Sequence, residues 1–145
     1  MGQIVSFSKE YRFLSNFYPC KITYMGYNWK TAEHAYQAMK FQNEDFWNEM
    51  AYGNLSAGEA KRIGAGLTLP DWWSDSKLTI MTNIVTRKFE ENDDLMEMLM
   101  STKGCELIEG NTWGDTFWGQ SPLGNGKNHL GKILMSIRDD ITRNF

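Results

Sequence analysis

The stretch from Trp29 to Phe41 contains no Gly or Pro, and it constrains what this chain can fold into more than any other segment. Thr31 is placed to cap a first helical turn, and Glu33 follows two positions later, where the positive end of a helix dipole favours a carboxylate. At about 100° per residue, Ala32, Ala35, Tyr36 and Met39 share one side, while Glu33, Gln37 and Lys40 fall in a narrow adjoining stripe. One helix therefore presents a carboxylate, an amide and an amine together. A solvated helix face with an i,i+4 polar pair has the same pattern. The surrounding rings, Tyr27, Trp29, Tyr36 and Phe41, favour a binding site, because aromatic walls around converging polar groups suit a planar ligand.

The 145 residues suit a single domain spanning 1–145. Hydrophobic residues make up 41% and charged residues 23%, as in an ordinary globule, but 14% aromatic content with six Trp leaves rings over to line a cleft. A net charge of -3 argues against broad, sequence-independent attraction to nucleic acid, which needs clustered Lys and Arg. Cys20 and Cys105 are expected as thiols in a reducing compartment. Residues 1–11 lack a basic stretch followed by an apolar run, and no segment is apolar for a membrane-spanning length, so the expectation is a cytoplasmic protein with no membrane partner.

Ile4 to Phe7 reads as a first strand, and Cys20 to Tyr24 as a second that alternates with Cys20, Ile22 and Tyr24 on one side. Arg12 to Tyr18, too short for a convincing helix, is rich in rings, and Asn16 within it is placed either to read a ligand edge or to hold its own loop. Met25-Gly26 offers a bend that makes a hairpin ending at Trp29. Asn43-Glu44-Asp45 resembles a helix start, with Phe46, Trp47 and Met50 on its apolar side and Gly53 at its end. Ser56 and Glu59 have the capping-box spacing, opening a helix that carries Lys61 and Arg62, which suit a phosphate as well as a helix end. A longer helix is predicted to begin within Ser74 to Lys77 and run to about Glu90, with Leu78, Met81, Val85 and Phe89 inward and Ile80 and Ile84 beside them. Another begins at Asn92-Asp93-Asp94 and turns Leu95, Met98 and Leu99 inward. Cys105 to Glu109 is a weak strand candidate. Gly110 to Gly119 places Asp115 among rings and glycines, so Asp115, or Glu109 just before the turn, is a candidate cleft acid. Glycines near Asn125, Lys127 and Asn128 precede a terminal helix with Leu130, Ile133, Leu134 and Ile137 inward, and its start can hold an anion. Together these segments predict a helix-rich α+β domain with a small β component.

His34 and His129 form no metal cluster with the cysteines, so a reaction without metal or other cofactor is expected. Glu33 with Glu109 or Asp115 can supply acid and base steps, and Lys40 can act as a nucleophile or hold an anion. As a nucleophile it needs desolvation or a cationic neighbour to release its proton near neutral pH.

In order along the chain, Phe13-Leu14-Ser15-Asn16-Phe17, the Tyr24 to Tyr27 turn, Glu33-His34-Ala35-Tyr36-Gln37 and Lys40-Phe41 resemble the NADAR domain family. Ala60-Lys61, Lys88-Phe89, Asp115 to Gly119, Asn125-Gly126, Asn128, Leu130-Gly131, Leu134-Met135 and Arg138 continue the resemblance, which spans Phe7 to Ile141. A proline common before Ala60-Lys61 is missing, and Ala65 stands where a basic residue is common. The resemblance implies an N-glycosidase that cleaves between a heterocyclic amine and C1 of a ribose bearing phosphate or ADP. The implied partners are a phosphoribosyl or ADP-ribosyl small molecule, or ADP-ribosylated guanine in nucleic acid. It implies Glu33, Lys40 and Asp115 as catalytic groups, with Lys61 as the alternative nucleophile. Asn16, Trp29, Tyr36, Gln37, Lys61, Arg62, Glu109, Trp118, Asn125, Lys127 and Asn128 are the implied substrate-binding residues, converging on one cleft. A noncatalytic ADP-ribose or nucleotide reader would keep the aromatic cleft and basic end without turnover, and a structural or partner-binding domain would show neither nucleotide binding nor turnover.

Overall fold

The computed structural model describes residues 2–143. The chain divides into two compact units, one of residues 16–92 and one that combines the chain up to residue 15 with the chain from residue 93 onward. The class is the expected α+β, dominated by helix, with two small two-stranded sheets among the described residues.

The first of these units opens with β2 (Ile22–Tyr24) paired antiparallel to β3 (Tyr27–Trp29), with Ile22 opposite Trp29. Met25 at φ 54° and Gly26 at φ 80° make the bend, since two successive left-handed residues match the right-handed twist of the flanking strands. Helix α1 (Ala32–Ala38) follows, its first turn held by Thr31, whose hydroxyl accepts from the His34 backbone N–H at 3.1 Å. The Trp47 indole on α2 (Glu44–Tyr52) donates to the carbonyls of Ala38 and Phe41, both at 2.8 Å, supplying partners at the point where α1 stops. Asn43 caps α2, and Gly53 ends it, as the residue pattern predicts.

Helix α3 (Ala57–Ala65) carries the full Ser56–Glu59 capping box. It lies close to α1 at Gly64, where a Cβ would fall 1.7 Å from Gln37 Oε1. Helix α4 (Trp73–Glu90) starts one residue earlier than predicted. Met81, Val85 and Phe89 are buried as expected, with Ile84 beside them and Trp73 added by the extra turn residue, whereas Leu78, expected inside, is 39% exposed. Lys88 shares the buried face with its amine over the rings of Tyr18 and Phe89, and burial, opposed by the nearby Cys20, lowers its pKa to about 8.

In the second unit β1 (Gln3–Ile4) pairs parallel to β4 (Glu106–Leu107); β4 lies within its predicted segment, whereas β1 shares only Ile4 with the strand read over Ile4 to Phe7. A 3-10 helix, Lys9–Leu14, occupies part of the segment read as too short for a helix. Helix α5 (Asp93–Met100) buries Leu95 and Leu99, but Met98 is 38% exposed, contrary to its predicted inward position. On α6 (His129–Arg143) the expected residues Leu130, Ile133, Leu134 and Ile137 are all buried. Arg138 donates to the carbonyls of Thr102 and Cys105, each at 2.9 Å, tying α6 to the segment between α5 and β4. Cys20 and Cys105 form no disulfide.

Candidate active site

The stripe on α1 forms a hydrogen-bonded group inside the first unit. Gln37 Nε2 donates to Glu33 Oε2 at 2.6 Å, one turn apart on the helix, and the Glu33 backbone N–H donates to the Asn16 carbonyl at 3.0 Å. All three side chains are buried. Asn16 Nδ2 reaches Met81 Sδ at 3.5 Å, but Asn16 Oδ1 and Gln37 Oε1 have no hydrogen-bond partner. An unmet buried acceptor costs about 1–3 kcal/mol, so two beside one carboxylate mark a place where stability has been traded for another property.

Lys40 is half-buried at the end of the same stripe. Its amine lies 5.6 Å from the Tyr36 ring centre and 5.9 Å from that of Trp73, and the two rings are 5.2 Å apart. Burial holds its pKa below the ordinary lysine value. The Glu33 charge opposes that effect, and the cationic Lys77 and Lys61 add to it. A larger fraction of Lys40 is consequently free amine near neutral pH than for a lysine in water. This meets the requirement of desolvation and cationic neighbours for a nucleophilic amine.

Lys61 is exposed on α3, with its amine 5.9 Å from the Phe17 ring centre, and Arg62 beside it is also exposed. Between the two lysines proposed as nucleophile, Lys40 is the one set among rings and partly removed from water. Trp29 falls elsewhere. Its indole donates to the Tyr24 carbonyl at 2.9 Å, and it is buried in a ring cluster with Tyr27 and Trp47 that supports the hairpin. Phe41 packs against Phe46 with the rings tilted by 55° and their centres 5.4 Å apart. Of the four rings expected to flank the stripe, Tyr36 is the one that faces the amine.

The remaining predicted residues belong to the second unit. Asp115 Oδ1 accepts from the backbone N–H groups of Phe117 at 3.1 Å and Trp118 at 2.9 Å, while Asn111 bonds the Asp115 backbone through both ends of its amide. This carboxylate shapes its own turn. Trp118 meets Phe117 edge-on at 4.7 Å, and Phe117 lies 4.6 Å from the His129 ring, with the Lys127 amine over Phe117 at 5.9 Å. Asn128, at φ 52°, is buried and uses both ends of its amide, accepting from the Glu109 N–H and donating to the Leu107 carbonyl. The exposed Asn125 takes part in a tight turn with Ser121.

Sequence reading passed over Trp73, Lys77 and Gly64. Starting α4 at Trp73 would have put Trp73, Lys77 and Met81 on one face at i, i+4, i+8 spacing. For Gly64 no local signal exists, because what matters is its approach to Gln37 on another helix.

Comparison with known proteins follows the same lines. The NADAR domain model matches residues 5–142. The chain is 34% identical over 138 residues to the N-glycosidase YbiA of Escherichia coli, covering 94% of this chain and 85% of that one. It is 37% identical over 137 residues to an N-glycosidase of Nostoc punctiforme, covering 92% and 87%. A riboflavin biosynthesis protein of Vibrio vulnificus is 36% identical over 137 residues, and there the chain spans only 36% of the relative's length. The NMR structure of the E. coli protein matches with a TM-score of 0.84 at 31% identity, over 99% of this chain and 85% of that one.

Proposed function

This chain belongs to the NADAR domain family, and from that membership we propose that it is an N-glycosidase cleaving the bond between a heterocyclic amine and C1 of a phosphorylated or ADP-linked ribose. The observation that carries the reading is the Lys40 amine, set against the packed Tyr36 and Trp73 rings with its pKa lowered and Glu33 as its opposing charge. A lysine in that condition can form a Schiff base with a sugar aldehyde carbon, which a carboxylate cannot do.

The proposed steps balance as follows. Lys40 passes its proton to Glu33, which gives it to the ribose ring oxygen as the exocyclic nitrogen pushes the C1–O bond open, leaving an iminium at C1. The Lys40 free amine adds to C1, and the heterocyclic amine departs with a proton returned through Glu33, so that the Lys40–C1 iminium replaces the first one. Water then adds to C1 and its protons pass to the lysine nitrogen, Lys40 leaves as the ammonium it began as with Glu33 again a carboxylate, and the open aldehyde sugar closes. Gln37 orients Glu33 throughout. The unpartnered Asn16 Oδ1 offers an acceptor to a donor on the substrate, and Lys61 and Lys77 supply positive charge for its phosphate.

Two substrate classes fit this chemistry, a phosphoribosylamino-pyrimidine of the riboflavin route and ADP-ribosylated guanine. The relative named as a riboflavin biosynthesis protein supports the first. Borohydride reduction during turnover of each, followed by peptide mass mapping, is expected to trap the sugar on Lys40. Turnover with no adduct, or an adduct on Lys61, would overturn the assignment. Lys40→Ala and Glu33→Gln are each expected to lower kcat by about 10²-fold or more with the fold retained, as for loss of a nucleophile or proton carrier.

A further inference from the structure

A cavity of about 350 Å³ opens in the first unit on a side of α4 that adjoins that of the lysine group. Trp72, at the N-terminal cap of α4, and Asp75, Ser76, Thr79 and Ile80 on the helix line it, while the residues near Lys40 are Trp73 and Lys77 on the adjoining side, about 100° around from Trp72 and Ser76 respectively. The opposite wall is Met39 and Trp47. The Trp47 ring cannot swing freely, because its N–H is held by two carbonyls, and Met39 is buried beside it. Trp72 is 38% exposed, with its ring 6.0 Å from Trp73. The cavity therefore has one fixed indole and one accessible indole, the thioethers of Met25 and Met39, and a size in the range of small-molecule sites.

Its charge separates it from the site at Lys40. Among the described residues lining it, Asp75 is the one ionised group, and no Lys, Arg or His is present. A phosphate would meet a carboxylate there with no compensating cation. An amino group would find that carboxylate and the hydroxyls of Ser76 and Thr79 as acceptors, and a flat ring bearing it would stack on the indoles.

The geometry points to a second ligand site here, one that takes a planar heteroaromatic amine without phosphate. It is independent of the reaction proposed for Lys40, since none of its lining residues belongs to that group. 2,4-Diaminopyrimidine and adenine serve as probes, with benzoate as a planar anionic control, followed by indole resonances in NMR titration of the full chain. Saturable binding that perturbs the Trp47 and Trp72 indoles is expected for the amines and not for benzoate. Asp75→Asn, which keeps the shape, should weaken it about tenfold, and Trp72→Ala should do the same or more. Lys40→Ala and Lys61→Ala should leave it unchanged, so a failure of the catalytic assignment and a failure of this site give different results. Absence of saturation at millimolar probe, equal binding of benzoate, or unaltered affinity in Asp75→Asn would each overturn the proposal.

Discussion

Replacing Gly64 by Ala tests how the carboxylate of Glu33 is held. The added Cβ would lie 1.7 Å from Gln37 Oε1, 2.6 Å from Cδ and 3.2 Å from Cβ. Non-bonded heavy atoms settle at roughly 3.5 Å, so about 1.8 Å must be found at the amide oxygen. Gln37 is buried and has little room to turn, and its Nε2 is committed to Glu33. Overpacking of this kind costs about 1–3 kcal/mol, and the better helix propensity of Ala offsets about 0.5–1 kcal/mol of it. The net change in stability is about 0–2.5 kcal/mol, which leaves the variant folded. The larger effect falls on Glu33, which loses a hydrogen bond to a charged group worth about 1.5–3 kcal/mol. If that bond orients Glu33 for proton transfer, kcat falls about 10- to 100-fold. Steady-state turnover with a thermal melt of each variant measures both quantities. Gln37→Ala should reproduce the loss in kcat without any clash, and the double variant should be no slower than Gln37→Ala alone, because both changes act through one contact. Wild-type kcat in Gly64→Ala, or losses that simply add in the double variant, would refute the reasoning.

Because Lys77 lowers the Lys40 pKa, Lys77→Ala should let it rise and move the acid limb of the kcat/KM profile to higher pH; Glu33→Gln, which removes the opposing charge, should move whatever activity remains to lower pH. For Asp115, Asn keeps an oxygen acceptor for the Phe117 and Trp118 N–H groups and should melt near wild type, whereas Ala leaves both donors unmet and should lose about 1–3 kcal/mol by urea denaturation. Lys88 binds its proton less tightly when folded, at about 8 against the ordinary 10.5, so below about pH 8 both states are protonated, and stability rises with pH between the two values as the unfolded chain holds the extra proton. That slope is about 1.4 kcal/mol per pH unit, and Lys88→Met should remove it from urea melts taken from pH 8 to pH 10.

Local patterns determined much of this protein. Thr31, Asn43 and the Ser56–Glu59 pair name their helix starts because a cap is made within one turn, and the Met25-Gly26 bend follows from backbone freedom at two residues. The association of Glu33 with Gln37 was legible for the same reason, since residues four apart on a helix are neighbours. Tertiary structure decided the rest. Whether Trp29 faces a ligand or the hairpin core depends on where Trp47 comes to lie, and whether Asp115 is a reagent or a turn-former depends on which backbone donors the loop turns toward it. The start of α4 carries no side-chain cap, so its first residue was open, and the burial of Lys88 and the exposure of Leu78 were set by what packs against the helix. The feature that sets Lys40 apart from Lys61, its partial removal from water beside the packed rings of Tyr36 and Trp73, comes from two helices meeting. Desolvation is a property of everything that surrounds a group, and a residue's sequence neighbours supply only a part of it.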